Sequence, residues 1–159
     1  MFSEKLSKRF DEMVTNYPTK RSALVPMLLF AQDEIGHISE EAIADIAHRV
    51  ELEPNEVHYV LSYYSMLTTN PRGKYHVQVC TNICCLLRGG EELYSHCQKT
   101  LGIGHKQTTP DGVFSLEEVE CIGACSWAPA VQVNYDFHEN LTPEKMDKVL
   151  EDYRRKTKQ

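Results

Sequence analysis

Five of the six cysteines in this chain fall in two short segments, Cys80-Thr-Asn-Ile-Cys84-Cys85 and Cys121-Ile-Gly-Ala-Cys125. Four thiolates gathered from two such loops can hold a metal ion or an iron–sulfur cluster. Structural zinc sites favour Cys-x2-Cys knuckles or Cys/His mixtures, and neither stands at these positions. The Cys-x4-Cys-x2-Cys of plant-type ferredoxins and the repeated Cys-x2-Cys of four-iron ferredoxins are missing too. If Cys85 rather than Cys84 is the second ligand, the pattern is Cys-x4-Cys, thirty-five residues, then Cys-x3-Cys. These wider spacings let the chain wrap each of two irons without a tight knuckle, which puts a [2Fe–2S] cluster ahead of zinc. A cluster with four thiolates is anionic and needs backbone N–H donors, and Gly123 suits a close approach of main chain to sulfur.

The elements that must deliver these loops can be read from periodicity. Tyr75, Val77 and Val79 alternate with His76 and Gln78, which predicts a strand ending at Cys80 and leaves His76 at the surface. Val113 to Glu120 predicts a second strand ending at Cys121, after a turn at Thr109-Pro110-Asp111-Gly112. Between them a helix is expected from about Arg88 to Leu101, with Leu93, Tyr94, Cys97 and Leu101 inward and Gly102 closing it. Short strands are expected near 130–134 and 137–140. A last helix capped by Thr142 follows, with Met146, Val149, Leu150 and Tyr153 inward. The order β-α-β-β-β-α predicts a small α/β sandwich with both cysteine loops at one end.

The first seventy residues carry helical spacing instead. Ser3 caps a segment with Leu6, Phe10, Met13 and Val14 on one side, and a second helix is expected from about Thr19 to Glu34, with Pro26 in its second turn. Ser39 caps a third helix, and a fourth starts near Pro54, with Tyr63 and Tyr64 expected in its packing. Short helices over this length make a marginal core alone, so docking is expected. The polar run 68–73 marks the boundary, giving a helical region at 1–70 and a second domain at 71–159.

Composition, at 42% hydrophobic and 25% charged, is that of a globular protein, and the net charge of −6 divides into −5 before residue 71 and −1 after it. No basic face suited to phosphates emerges, so no nucleic-acid partner is expected. The opening residues lack the apolar core of a secretory signal, and the longest apolar stretch, 23–31, is broken by Pro26 and too short to span a bilayer. A cytoplasmic location, thiols rather than disulfides, and no direct membrane insertion are the expectations. No Gly-rich phosphate loop is present, and no histidine pair or triad marks a catalytic centre.

The two cysteine segments resemble those of a known family. Cys-Thr-Asn-Ile-Cys-Cys-Leu-Leu-Arg-Gly at 80–89 and Cys-Ile-Gly-Ala-Cys-Ser-Trp-Ala-Pro at 121–129 are similar to the cluster-binding segments of the small [2Fe–2S] subunit of NADH:quinone oxidoreductase. Segments beginning at Tyr17, Glu34, Tyr63 and Thr109 match its pattern as well, so the likeness extends over nearly the whole chain. It implies an α+β protein, an N-terminal helical region followed by a thioredoxin-like [2Fe–2S] ferredoxin domain. It also implies Cys80, Cys85, Cys121 and Cys125 as ligands. A lone all-thiolate [2Fe–2S] cluster is expected to carry one electron at low potential, on the order of −400 mV with plant-type ferredoxins as the guide, and no residue of this chain is expected to be catalytic. FMN and NADH are implied only on a flavin-bearing partner subunit, in the peripheral arm of a membrane-associated complex. NAD-linked hydrogenases and formate dehydrogenases have related subunits and remain the alternative, with a structural zinc module behind them. Cys84 departs from the pattern and is expected to be a bystander thiol, and Cys97 a core thiol. Trp127 is expected in packing or a subunit interface, Arg88 either near the cluster or exposed, and Pro129 stands where thioredoxin-like folds often place a cis proline.

Overall fold

The computed structural model describes residues 2–157, which divide into two compact units on either side of the Pro71–Arg72 bond. No helix of the described residues is long and apolar enough to cross a membrane.

The first unit is helical. Helix α1 (Glu4–Thr15) is capped by the Ser3 hydroxyl, which accepts the Leu6 N–H at 3.2 Å. Glu34 accepts both the Ser3 amide and its hydroxyl, fastening this start to the end of α2 (Leu24–Ile35). The single helix expected from Thr19 is instead a 3-10 turn at Lys20–Ala23 followed by α2. Proline explains the break. A helix begun at Thr19 would set the Pro26 ring against a carbonyl one turn back, whereas in α2 Pro26 falls in the first turn, where N–H groups have no helical partner. Helix α3 (Glu40–Val50) is capped by Ser39, and α4 (Pro54–Tyr63) opens on a capping box of Glu53 and Glu56. Phe10, Met27, Leu28, Ile43, Ile46 and Val57 centre the core. Arg49 ties α1 to α3 through Asp11 and Ser7 while also holding Asp45. Tyr64 packs on this core, but Tyr63 does not: it is 78% exposed, because α4 ends there and turns its last side chain outward.

The second unit is a five-stranded sheet with two principal helices. Strands β1 (Tyr75–Cys80), β2 (Gln107–Thr108), β3 (Phe114–Val119), β4 (Val131–Val133) and β5 (Asp136–His138) lie in the order β2-β3-β1-β4-β5. β1 and β3 are parallel, with Tyr75 opposite Phe114 and Cys80 opposite Val119, and the other pairings are antiparallel. A parallel pair needs a crossover, which here contains the single turn α5 (Ile83–Leu86) and helix α6 (Gly90–Leu101). Helix α7 (Pro143–Thr157) closes the chain. Val77, Val79, Phe114, Leu116, Val131 and Val133 meet Leu93, Cys97, Met146 and Leu150 in one core. Three elements, α5, β2 and a 3-10 turn at Cys125–Trp127, are additional to the β-α-β-β-β-α order expected from periodicity, and α6 begins at Gly90 rather than Arg88.

The other face of β1 and β3 is polar, and it corrects one expectation. His76 is only 8% exposed. Its Nδ1 lies 2.8 Å from the Ser115 hydroxyl and its Nε2 2.9 Å from Glu117 Oε2, so the neutral ring accepts from the first and donates to the second. The alternation that pointed His76 away from the core is right; what single-strand periodicity does not reveal is that β3 sets two polar partners beside it. Burial lowers the His76 pKa. Burial raises that of Glu117, but the His76 hydrogen bond together with Arg72 and Lys106 outweighs it and keeps the carboxylate lowered and charged.

Candidate metal centre

The parallel register decides where the cysteines go. Because Cys80 ends β1 beside Val119 at the end of β3, the loops that follow both strands leave from the same edge of the sheet. Cys80 is buried there, its amide donating to the Ala130 carbonyl at 3.2 Å and its thiol to the Glu120 carbonyl at 3.8 Å. Asn82 caps α5 by accepting the Ile83 N–H at 2.8 Å, and this turn rolls Cys85 inward against Cys80, Ala128 and Ala130. The second loop is looser. Cys121 is exposed, with its sulfur accepting the Gly123 N–H at 3.3 Å across a left-handed Gly123 (φ 78°). Cys125 is also exposed and starts a 3-10 turn through Trp127. The Ala128–Pro129 peptide that follows is cis.

All four proposed ligand positions therefore fall at one edge of the sheet, and Cys84 joins them. The thiols act on one another. Burial pushes Cys85 up to about 11, with the Cys80 and Cys125 sulfurs adding to the rise and the Ala130 amide opposing it. Cys125 is raised by Cys84 first, and to a smaller extent by burial and Cys121. Among the described residues no three Cys, His, Asp or Glu side chains surround a point that one metal ion would occupy. The thiols instead interact in a chain, Cys85 with Cys80 and Cys125, and Cys125 with Cys84 ahead of Cys121. The chemistry of this thiol set, with the Gly123 and Ala130 amides beside the Cys121 and Cys85 sulfurs, fits a [2Fe–2S] group.

One support escaped the sequence reading, and another was seen only as an open choice. Gly90 opens α6 directly against the first loop: a Cβ there would lie 2.9 Å from the Cys80 carbonyl oxygen and from the Cys85 carbonyl atoms. The Gly89-Gly90 pair was the available signal, but nothing in sequence reveals which backbone approaches it. Arg88 is exposed, one of its two expected settings, and its Nε donates to the Ala128 carbonyl at 2.7 Å, lacing the first loop to the second. Around the site, Ile83 (59% exposed), Leu87 (78%) and Trp127 (55%) form an apolar rim. Cys97 is apart from all this, buried within α6 and pushed by burial up to about 12.

Residues 10–154 match the family model described as thioredoxin-like [2Fe-2S] ferredoxin. The chain belongs to that family. Membership implies a [2Fe–2S] cluster, which the thiol set fits. The chain is 39% identical over 149 residues to the second E-type NADH-quinone oxidoreductase subunit of Rhizobium meliloti, covering 94% of this chain and 89% of that protein. It is 43% identical over 157 residues to the E-type NADH-quinone oxidoreductase subunit of Rickettsia typhi, covering 96% and 91%. The fold is shared with a chain of an NAD+-reducing [NiFe]-hydrogenase in the air-oxidized state, at a TM-score of 0.75 and 21% identity. That likeness covers 84% of this chain but 23% of the longer hydrogenase chain.

Proposed function

We propose that this chain is the E-type subunit of an NADH-quinone oxidoreductase, in which Cys80, Cys85, Cys121 and Cys125 hold a [2Fe–2S] cluster beside the flavin of an NADH-oxidising partner subunit. The observation that carries the reading is the arrival of two cysteine loops at one end of the sheet, with amide donors at the Cys121 and Cys85 sulfurs. The names of relatives matched over nearly the full length of both chains support the parent complex. The hydrogenase likeness is one of fold, so the respiratory reading is preferred. Residues 1–70 are the helical region in this reading, and 71–159 the ferredoxin domain.

When bound, the group supplies one reversible electron. The chain's own residues determine where that electron is accessible. Cys80 and Cys85 anchor the inner side in a pocket of Ala128 and Ala130, away from water. Cys121 and Cys125 lie on the outer side, where a partner can approach. The Gly123 and Ala130 amides offset negative charge on the sulfurs, and Ile83, Leu87 and Trp127 offer the partner an apolar surface that excludes water on docking. FMN and NADH belong to that partner, and the assembly forms the peripheral arm of a membrane-associated complex.

Purification of the chain with its native partners, followed by iron, sulfide and flavin assays on the complex, tests the reading. Two irons and two sulfides per chain, with flavin retained only while the partner is present, is the expected result. Zinc in place of iron, or purification of the chain alone and colourless, would overturn it.

A further inference from the structure

A long side chain joins the two cysteine loops. Arg88 follows Cys85 by three residues and Ala128 follows Cys125 by three, so the 2.7 Å bond from Arg88 Nε to the Ala128 carbonyl connects equivalent points of the two loops. Both ends of this bond are fixed. The Arg88 amide donates to the Cys85 carbonyl at 3.1 Å, and Gly90 behind it has no room for a side chain against the Cys80 and Cys85 backbones. Ala128 is buried and packs with Cys80, Cys85 and Ala130, where a carbonyl left without a donor is costly. Within the second loop the bonds are local, Gly123 N–H to the Cys121 sulfur at 3.3 Å and Trp127 N–H to the Ala124 carbonyl at 3.1 Å. They shape that loop without setting its distance from the first. Arg88 is itself exposed, so solvent screens its charge while its Nε–H stays directed at the carbonyl.

We propose that Arg88 is a positioning residue of the site: its bond to the Ala128 carbonyl sets the gap between the two cysteine loops, and so governs how firmly the thiolates hold their group. The consequence for the group rests on the [2Fe–2S] reading of the site; the clamp between the loops does not. In the cluster-free chain the bond keeps the exposed second loop beside the buried first one, so less loop freedom is lost on binding. In the loaded chain it opposes the opening of that loop. Reach and charge can be separated chemically. The amide nitrogen of glutamine stands as many bonds from Cα as Nε does in arginine, so Arg88→Gln keeps the donor and discards the charge. In lysine a methylene takes the place of Nε, so Arg88→Lys keeps the charge and discards the donor at that position.

The full-length chain, compared with Arg88→Ala, Arg88→Gln and Arg88→Lys, provides the test. In the cluster-free chains, hydrogen exchange read by mass spectrometry is expected to quicken over residues 121–128 in Arg88→Ala and Arg88→Lys, and to stay near natural in Arg88→Gln. In the loaded chains, retention of iron against a chelator is expected to weaken about 10–100-fold in Arg88→Ala and Arg88→Lys. Their reduced clusters should also show shifted g values by EPR, while Arg88→Gln returns both retention and spectrum toward those of the natural chain. Natural exchange over 121–128 in Arg88→Ala overturns the proposal. So does faster exchange with natural retention and spectrum, because the gap would then not matter to the group. Rescue by Arg88→Lys and not by Arg88→Gln overturns it too, by assigning the effect to charge. If Arg88→Ala does not fold, the other two variants decide on the same readouts. A natural chain that takes up no iron and sulfide would remove the cluster reading, and the exchange pattern would still decide the clamp.

Discussion

The two cysteine loops are held in different ways. The first is fixed: Cys80 ends a central strand, Cys85 sits in a capped helical turn, and both are buried. The second has no regular structure before its 3-10 turn, and both of its cysteines are exposed. One side of the site is thus built as part of the fold, and the other is laid over it by a glycine turn and one arginine. Changes on the first side should cost stability and cofactor together, while changes on the second should cost cofactor or partner alone.

The largest effect expected is loss of the cluster on replacing a ligand. Cys85→Ser should abolish the EPR signal of the reduced chain and its iron and sulfide content, whereas Cys84→Ser should keep both. The reverse outcome would exchange the two assignments. Cys125→Ser should lose the cluster while the apoprotein melts close to the natural chain, whereas Cys85→Ser should lower the melting temperature of the apoprotein as well.

Next comes Gly90→Ala. The added methyl meets backbone rather than a movable side chain, so the strands or α6 must shift. A cost of about 1–3 kcal/mol is expected in denaturant unfolding, with weaker iron retention. Gly123→Ala is the matching change on the second side. Its Cβ meets nothing within 4 Å, and only the left-handed backbone opposes it. About 1–2 kcal/mol of local strain is expected, read chiefly as faster cluster loss and not as a lower apoprotein melting temperature. Equal effects of the two substitutions would erase the contrast.

Acidification probes the same inner side from the opposite face of its strands. The His76 pKa lies below its ordinary 6.5 in the folded chain, so as pH falls through 6.5 the unfolded chain takes up the proton first and stability is lost until the folded value is reached. Glu117 is lowered from 4.5, so a second loss begins below that pH, again because the unfolded state is protonated first. Chemical denaturation from pH 7.5 to 4 should show stability falling in both steps, and His76→Ala should remove the first step. That variant also leaves Glu117 without its closest partner, at a cost of about 1–3 kcal/mol. The smallest effect on stability belongs to Trp127→Ala, within about 0.5 kcal/mol for an exposed side chain. The same change should reduce co-purification of the flavin-bearing partner.

How much of this was legible in sequence follows the same division. Period-two alternation at 75–79 placed the end of β1 at Cys80, because one face of that strand is buried against helices, while the strand expected to run to Cys121 ends at Val119. The turn α5 has too few residues for any helical period, so the device that rolls Cys85 inward had no pattern to find. His76 and Gly90 were misjudged or missed for a shared reason. Each depends on what lies beside it in space, Ser115 and Glu117 for one and the Cys80 and Cys85 backbones for the other, and strand pairing is not written in local periodicity. In the helical unit, Pro26 signalled a disturbance correctly, but the form it takes, a 3-10 turn that shifts the helix start to Leu24, was not legible from spacing.

The parallel pairing of β1 with β3 also sets a timetable. Cys80 and Cys121 have no reason to meet until the crossover between their strands has been made, and the Ala128 and Ala130 floor arrives later still in the chain. During synthesis the first cysteine segment emerges long before its counterpart and waits without one. Assembly of the thiol set is thus a late event that certifies the sheet, and iron uptake by a growing or refolding chain would report that its hardest long-range pairing had closed.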